Sequence, residues 1–579
     1  MSMRRGRAGV RSGCAGIGVR GAAIAYGVTA IMLAAAPAAG QSLRLTKHNL
    51  SDSGPGPVKA VTESRICIFC HAPHRSSGQP PLWNRSDGRV TYLVYDSPTL
   101  QAQAGQPTGA SRLCLSCHDG TIALGEIVSE ANQIQFQGGT VFLPPGHSLL
   151  DVNLADDHPV SFAFDEALAI SDPELVSPSS LPATLPLDND GQMQCTSCHD
   201  SHNNDFGDFL RMSPLFSQLC VGCHQKNGWT GSIHDVSTAT WDGSGVDPWP
   251  HADGATVAEN GCMNCHQAHE AGQPPQLLNH MQEENNCLTC HDGSVGSDIN
   301  SALSLFSRHP VAEQTGVHQP GEDPLTMPRH VECTDCHNPH AAATDRPPPP
   351  AAPGSLRFVD GIDINGNPVG AVSYSYEVCL KCHGDAHGTG QVVTRVINNL
   401  NTRQEFNPSG ISYHPVAAAG KNPNAPSLIP PWTESRIMSC DDCHSSQSGL
   451  PRGPHGSDNR PLLKLNYDTV DFTRESSQAY ALCYSCHDRQ SILNGDSFKL
   501  HKKHIEGEDA PCSTCHDPHG ISAGTGTPSR NSHLINFNQT VVFPDPNTGR
   551  LEFNDLGDRT GECYLECHGK KHSPKDYKP

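Results

Sequence analysis

The 579-residue sequence predicts a mostly irregular fold, with few short helices and minor short strands, built around bound cofactors rather than around a sheet or a helix bundle. Three observations predict it. The pentapeptide C-x-x-C-H recurs from Cys67 to the C-terminal end of the chain. Hydrophobic residues make up only 36 %, against 54 glycines and 47 prolines, a composition that by itself points to disorder. The copies follow one another every ~45 residues, too little chain to bury a large planar group in a conventional core.

C-x-x-C-H is the attachment motif of a c-type haem. Two thiols bond to one porphyrin edge, and the following imidazole turns back to the iron. Eleven copies are strict: Cys67, Cys70 and His71; Cys114, Cys117 and His118; Cys195, Cys198 and His199; Cys220, Cys223 and His224; Cys262, Cys265 and His266; Cys287, Cys290 and His291; Cys333, Cys336 and His337; Cys379, Cys382 and His383; Cys440, Cys443 and His444; Cys483, Cys486 and His487; Cys512, Cys515 and His516. A twelfth is wider, C-x-x-x-C-H at Cys563, Cys567 and His568, and one residue must bulge for the sulfurs to keep their places. Together they use all cysteines but Cys14. Zinc ribbons and disulfides are the alternatives, but neither demands a histidine directly after each pair. The cofactor expected is therefore haem c, twelve copies covalently attached, the twelfth through C-x-x-x-C-H. Porphyrin then supplies the missing hydrophobic burial, which makes the fold haem-cored, with an elongated haem chain.

Short helices are expected at each motif, because the histidine must fold back beneath the ring. Strands are expected at Val90–Tyr95, Thr140–Leu143 and Thr540–Phe543, which are rich in β-branched and aromatic residues. Residues 1–40 read as a secretory signal peptide: five arginines and no acid, an apolar stretch from Ala22 to Ala36, and Ala38-Ala39-Gly40 as a small-residue cleavage site. The motifs fall into pairs, giving dihaem modules at 41–170, 171–250, 251–320, 321–430, 431–508 and 509–579. They are pseudo-repeats that share contacts with their neighbours.

There are 33 histidines and only six methionines after residue 40, so second imidazoles are the expected distal ligands. A doubly ligated iron suits electron transfer; an open one binds substrate. Five first members carry another histidine three residues on: His74, His202, His269, His340 and His519. Such a residue cannot reach the far face of its own iron, so as a ligand it serves a neighbouring haem. His158, His309 and His414 open His-Pro-Val after second members, where the proline holds an extended backbone. His387 and His572 share C-H-G-x-x-H, and His455 and His504 complete the candidate set. His48, His147, His234, His251, His280, His318, His330, His501 and His533 compete for what remains.

Residues Thr62 to Thr121 resemble the start of bacterial multihaem c-type cytochromes with the doubled C-x-x-C-H motif. The matching text is Cys67-Ile-Phe-Cys-His-Ala-Pro-His74, Pro81-Leu-Trp-Asn-Arg85, Tyr92 to Pro98, and Leu113-Cys-Leu-Ser-Cys-His-Asp-Gly-Thr121. The resemblance is to a group that includes outer-surface cytochromes polymerising into extracellular filaments. It implies bis-histidine haems in a continuous chain, alternately stacked and perpendicular.

Formal charge is −21; without the five N-terminal arginines, 34 basic residues face 60 acidic ones, a charge of −26. Nucleic acid is thereby excluded as a partner. An acidic surface suits basic redox proteins, metal cations or minerals, and equally serves solubility. The function expected is that of an electron carrier rather than an enzyme, with no catalytic residues: a periplasmic or extracellular, cell-surface conduit passing electrons from redox partner proteins to an external acceptor. A filament of the chain itself is one version. The alternatives are a reductase with one open haem, and a cytochrome subunit docked to an outer-membrane barrel.

Overall fold

The computed structural model describes residues 43–86, 88–272, 275–312, 330–385, 392–422, 424–557 and 559–578. The expected signal peptide, Cys14, His318 and His387 lie outside them. The described chain belongs to one unit, Gln41–Pro579.

Regular structure is sparse, as the composition predicts. The longest helices are α1 (Gly109–His118) and α2 (Ser375–His383), and each ends on a motif histidine. All eleven strict motifs begin in or against a helical turn. The cause is local. The amide of the histidine donates to the carbonyl of the first cysteine four residues back, as in His71 to Cys67 at 2.8 Å, His199 to Cys195 at 2.9 Å and His444 to Cys440 at 2.8 Å. One turn therefore puts both thiols and the imidazole on neighbouring positions.

Among the described residues no single core forms. Small clusters of buried side chains each pack against motif cysteines: Ala60, Ile68, Phe69, Leu124, Ile127 and Phe136 against Cys70 and Cys117; Tyr376, Leu380, Phe406, Val416 and Met438 against Cys440 and Cys443; Ala479, Tyr480, Leu493 and Ile505 against Cys483 and Cys512. Buried Arg85, 1 % exposed, ties the first module: its guanidinium donates to Leu124 O and Ser116 O, both at 2.9 Å, and to Ala123 O at 3.1 Å.

Two expectations change. Val90–Tyr95 keeps only a two-residue strand at Leu93–Val94, and Thr140–Leu143 is no strand; the preceding Gly138 and Gly139 both hold positive φ, which breaks an extended path. The C-terminus holds the main sheet, antiparallel and four-stranded: β1 (Val542–Phe543), β2 (Glu552–Gly557), β3 (Thr560–Cys567) and β4 (Lys570–Tyr577). β3 is central, with β1 and β2 on one edge and β4 on the other. The twelfth motif thus lies in a strand, not in a helical turn. Its extra residue removes the four-residue spacing from first cysteine to histidine, and pairing on both edges of β3 takes up its backbone groups instead.

Candidate haem-binding sites

Imidazoles stand opposite one another along the chain. A metal ligand nitrogen lies about 2 Å from its metal and about 1.1 Å from its ring centre, so imidazoles on opposite sides of one metal have centres about 6.2 Å apart. Ten motif histidines face a partner at that spacing. His71 faces His202 at 6.2 Å, His118 faces His48 at 6.2 Å, and His199 faces His269 at 6.2 Å. His224 faces His158 at 6.3 Å, His266 faces His340 at 6.1 Å, and His291 faces His234 at 6.4 Å. His337 faces His455 at 6.2 Å, His383 faces His309 at 6.3 Å, His444 faces His519 at 6.1 Å, and His516 faces His501 at 6.4 Å. His414 neighbours His487 and acts on its charge. An eleventh pair, His504 and His572 at 6.4 Å, contains no motif histidine.

The partners follow a register. In the first five pairs of motifs the first-member histidine faces a residue from the next pair, His202, His269, His340, His455 or His519; in the last pair His516 faces His501, which lies before it. Second-member histidines face residues lying earlier in the chain: His48, His158, His234 and His309. Neighbouring pairs of motifs are thus joined in both chain directions.

The ring nitrogens are arranged for ligation. A metal-binding imidazole characteristically donates its other N–H to a fixed acceptor. His71 Nδ1 donates to Pro81 O at 2.9 Å, His199 Nδ1 to Asp208 O at 2.9 Å, His266 Nδ1 to Gln276 O at 2.9 Å, and His337 Nδ1 to Ser355 O at 2.9 Å. Among the partners, His234 Nδ1 donates to Pro339 O at 2.8 Å, and His414 Nδ1 to Pro518 O. Nε2 is left for the metal. Burial favours the neutral, ligating form at several of the paired rings: it pushes His224 and His501 down to about 3, and His48, His340, His444, His455 and His516 to about 4, helped by neighbouring histidines.

Two partners differ. His269 Nδ1 meets Asp157 Oδ1 at 2.8 Å, and His519 Nδ1 meets Glu405 Oε2 at 3.0 Å. Burial opposes their charge, but the carboxylate bond and its field outweigh it, and both imidazoles titrate above their ordinary value.

The thiols form a file. Cys70 lies by Cys117, Cys198 by Cys223, Cys265 by Cys290, Cys336 by Cys379 and Cys382, Cys443 by Cys486, and Cys515 by Cys563 and Cys567. Between modules, hydrogen bonds join Cys114 to Cys195, Cys220 to Cys262, Cys287 to Cys333, Cys379 to Cys440, and Cys483 to Cys512. Every motif therefore adjoins its neighbours in chain order. All 24 described cysteines are free of disulfides, and the described residues hold no cluster of three or more His, Cys, Asp or Glu fit for a metal ion. This donor set suits a large planar group clamped between two imidazoles, not a tetrahedral ion.

The structure departs from the expected partner set at named positions. His74 is exposed and faces no imidazole among the described residues. No C-x-x-C-H motif stands before Cys67 in this sequence. His568 meets Asp471 instead of a second imidazole, with Nε2 at 2.9 and 3.0 Å from the carboxylate oxygens. His48, His234 and His501, which carry no local motif, stand opposite motif histidines. His234 was legible in one respect: it lies between consecutive second members, where His158 and His309 lie in their modules.

Comparison with known proteins agrees with this chemistry. Residues 368–525 match the family described as outer membrane cytochrome MtrC/MtrF-like, domains II/IV. Residues 188–228 and 255–296 match the doubled CXXCH motif family. Over 209 residues the chain is 27 % identical to the multiheme cytochrome MtrA of Shewanella baltica (strain OS185), covering 34 % of this chain and 44 % of that relative. The chain thus spans less than half the length of the curated relative it matches. Covalently bound haem c is the cofactor these matches and the motifs support.

Proposed function

We propose that this chain, a bacterial multihaem c-type cytochrome with doubled C-x-x-C-H motifs, carries twelve haems in single file and conducts electrons along them as an exported relay in extracellular respiration. The six pairs of motifs are its dihaem modules, and residues 1–40 are its export signal. The carrying observation is the row of imidazole pairs 6.1–6.4 Å apart, strung on thiols that adjoin in chain order. Two imidazoles per iron leave no position for substrate, which favours electron transfer over turnover. The cysteines fix the spacing of the haems, and the buried imidazoles and their acceptors set the potentials.

The match to the outer membrane cytochrome family favours one setting for this relay: docking to an outer-membrane barrel supplied by another chain, with redox proteins on the inner side and an acceptor outside. Among the described residues no helix is long and apolar enough to cross a membrane. Co-purification with a barrel protein supports the conduit. Filaments of the chain alone in electron micrographs of secreted material replace it with a polymer.

The deciding experiment is electron paramagnetic resonance on oxidised, haem-loaded protein, with haem quantified per chain. Twelve haems and low-spin signals only are expected. A high-spin signal at one iron per chain overturns the pure conductor and favours a reductase.

A further inference from the structure

We propose that the twelfth haem, held by Cys563 and Cys567, takes His572 and His504 as its axial ligands, so that its attachment sequence is C-x-x-x-C-x-x-x-x-H and His568 is not a ligand. This rests on the haem reading given above. Four observations carry it.

The first is the strand geometry. Alternate residues along a strand share a face, so Leu565 and Cys567 of β3 project together; the register with β4 shifts between Cys563 and Leu565, and Cys563 packs in the same cluster as Leu565 and Cys567. Directly paired residues on antiparallel strands also share a face, and Leu565 pairs with His572 of β4. Both thiols and His572 therefore lie on one side of the sheet, the side that packs against Cys515 of the preceding motif.

The second is what holds His568. It sits at the corner between β3 and β4 with φ +47°, outside the alternation. Its ring stacks on Phe472, centres 4.5 Å apart, and its Nε2 is engaged by both oxygens of Asp471. At His71, His118, His199, His266, His337, His444 and His516 the ring bond is instead made by Nδ1 to a backbone carbonyl.

The third is the pair itself. His504 and His572 stand 6.4 Å apart, the spacing also found at His234–His291 and His501–His516. His504 Nδ1 donates to Leu500 O at 2.9 Å, leaving Nε2 for a metal.

The fourth is the register. His158, His234 and His309 each follow a second member and face the histidine belonging to the next one. His504 follows the second member at Cys483 in the same way, and the ring it faces is His572.

The test uses full-length, haem-loaded protein and reads haem number by intact mass and spin state by electron paramagnetic resonance. In His572→Ala, the full haem count with one new high-spin iron per chain is expected. His572→Met should instead stay low-spin and gain a long-wavelength thioether–iron absorption band. His568→Gln, with haem attached at Cys563 and Cys567, should remain wholly low-spin. If His568→Gln is matured without that haem, the two His572 variants decide. A wholly low-spin His572→Ala with no thioether band in His572→Met overturns the assignment, as does a high-spin iron in haem-loaded His568→Gln. Free, alkylatable Cys563 and Cys567 in the unaltered protein would instead remove the haem reading of this site, a different failure with a different signature.

Discussion

Asp157 should hold down the potential of one haem, the one whose iron His199 and His269 would ligate. Its carboxylate is buried, 7 % exposed, and accepts from His269 Nδ1 at 2.8 Å. Through the ring, that places a negative charge roughly 7 Å from the iron. A unit charge at that distance, at an effective dielectric of about 20, stabilises the ferric state by about 2.4 kcal/mol. For a one-electron couple, at about 59 mV per tenfold change in equilibrium constant, this corresponds to roughly 100 mV. The hydrogen bond acts in the same direction, because a carboxylate partner makes the imidazole a stronger donor. Asp157→Asn keeps the shape and an acceptor oxygen but removes the charge. A redox titration followed by absorbance and electron paramagnetic resonance should show one haem equivalent moving up by the order of 100 mV, the others staying in place. Superimposable titrations, or a haem that moves down, would refute the reasoning and with it the placing of His269 on that iron.

Other outcomes follow from the same geometry. His202→Ala should leave the haem count intact and open the iron at Cys67 and Cys70, not the one at Cys195, while His74→Ala should leave every iron low-spin; isolating haem peptides after ligand binding to the open iron identifies the site. Burial raises the Glu405 carboxyl above the ordinary carboxylate range, with His519 opposing, so as pH falls through that raised value the carboxylate is neutralised and the potential of the haem at Cys440 should rise; Glu405→Gln should remove this pH dependence. The imidazole planes are nearly parallel at His266–His340 (6°) and His71–His202 (13°) but nearly perpendicular at His234–His291 (76°). Since parallel rings split the iron π orbitals and perpendicular rings do not, the low-spin spectrum should contain both rhombic and large-anisotropy components. Arg85→Met takes the donor from the buried Leu124 O and Ser116 O, while Ala123 O keeps the Glu126 amide, and should cost about 3 kcal/mol, read as earlier proteolysis around Cys67 to His118.

The sequence by itself determined the chemistry. A histidine directly after each cysteine pair is a covalent demand of one cofactor, and it forces the helical turn seen at every strict motif. The sparse regular structure follows from the same count of motifs against chain length. His202, His269, His340 and His519 were legible because a residue three positions past the proximal histidine is barred from its own iron. The structure decided which neighbour each one meets, and that choice depends on how modules pack. His74 matches the same pattern yet is exposed and faces no imidazole among the described residues. His48, His234 and His501 carry no motif of their own; tertiary packing brings them opposite a ring, across long stretches of chain for His48 and His234 and a short one for His501. The widest gap between sequence and structure is at the C-terminus. There one inserted residue breaks the turn, β3 pairs on both edges, and cross-strand register rather than neighbourhood in the chain determines which histidine shares a face with the thiols.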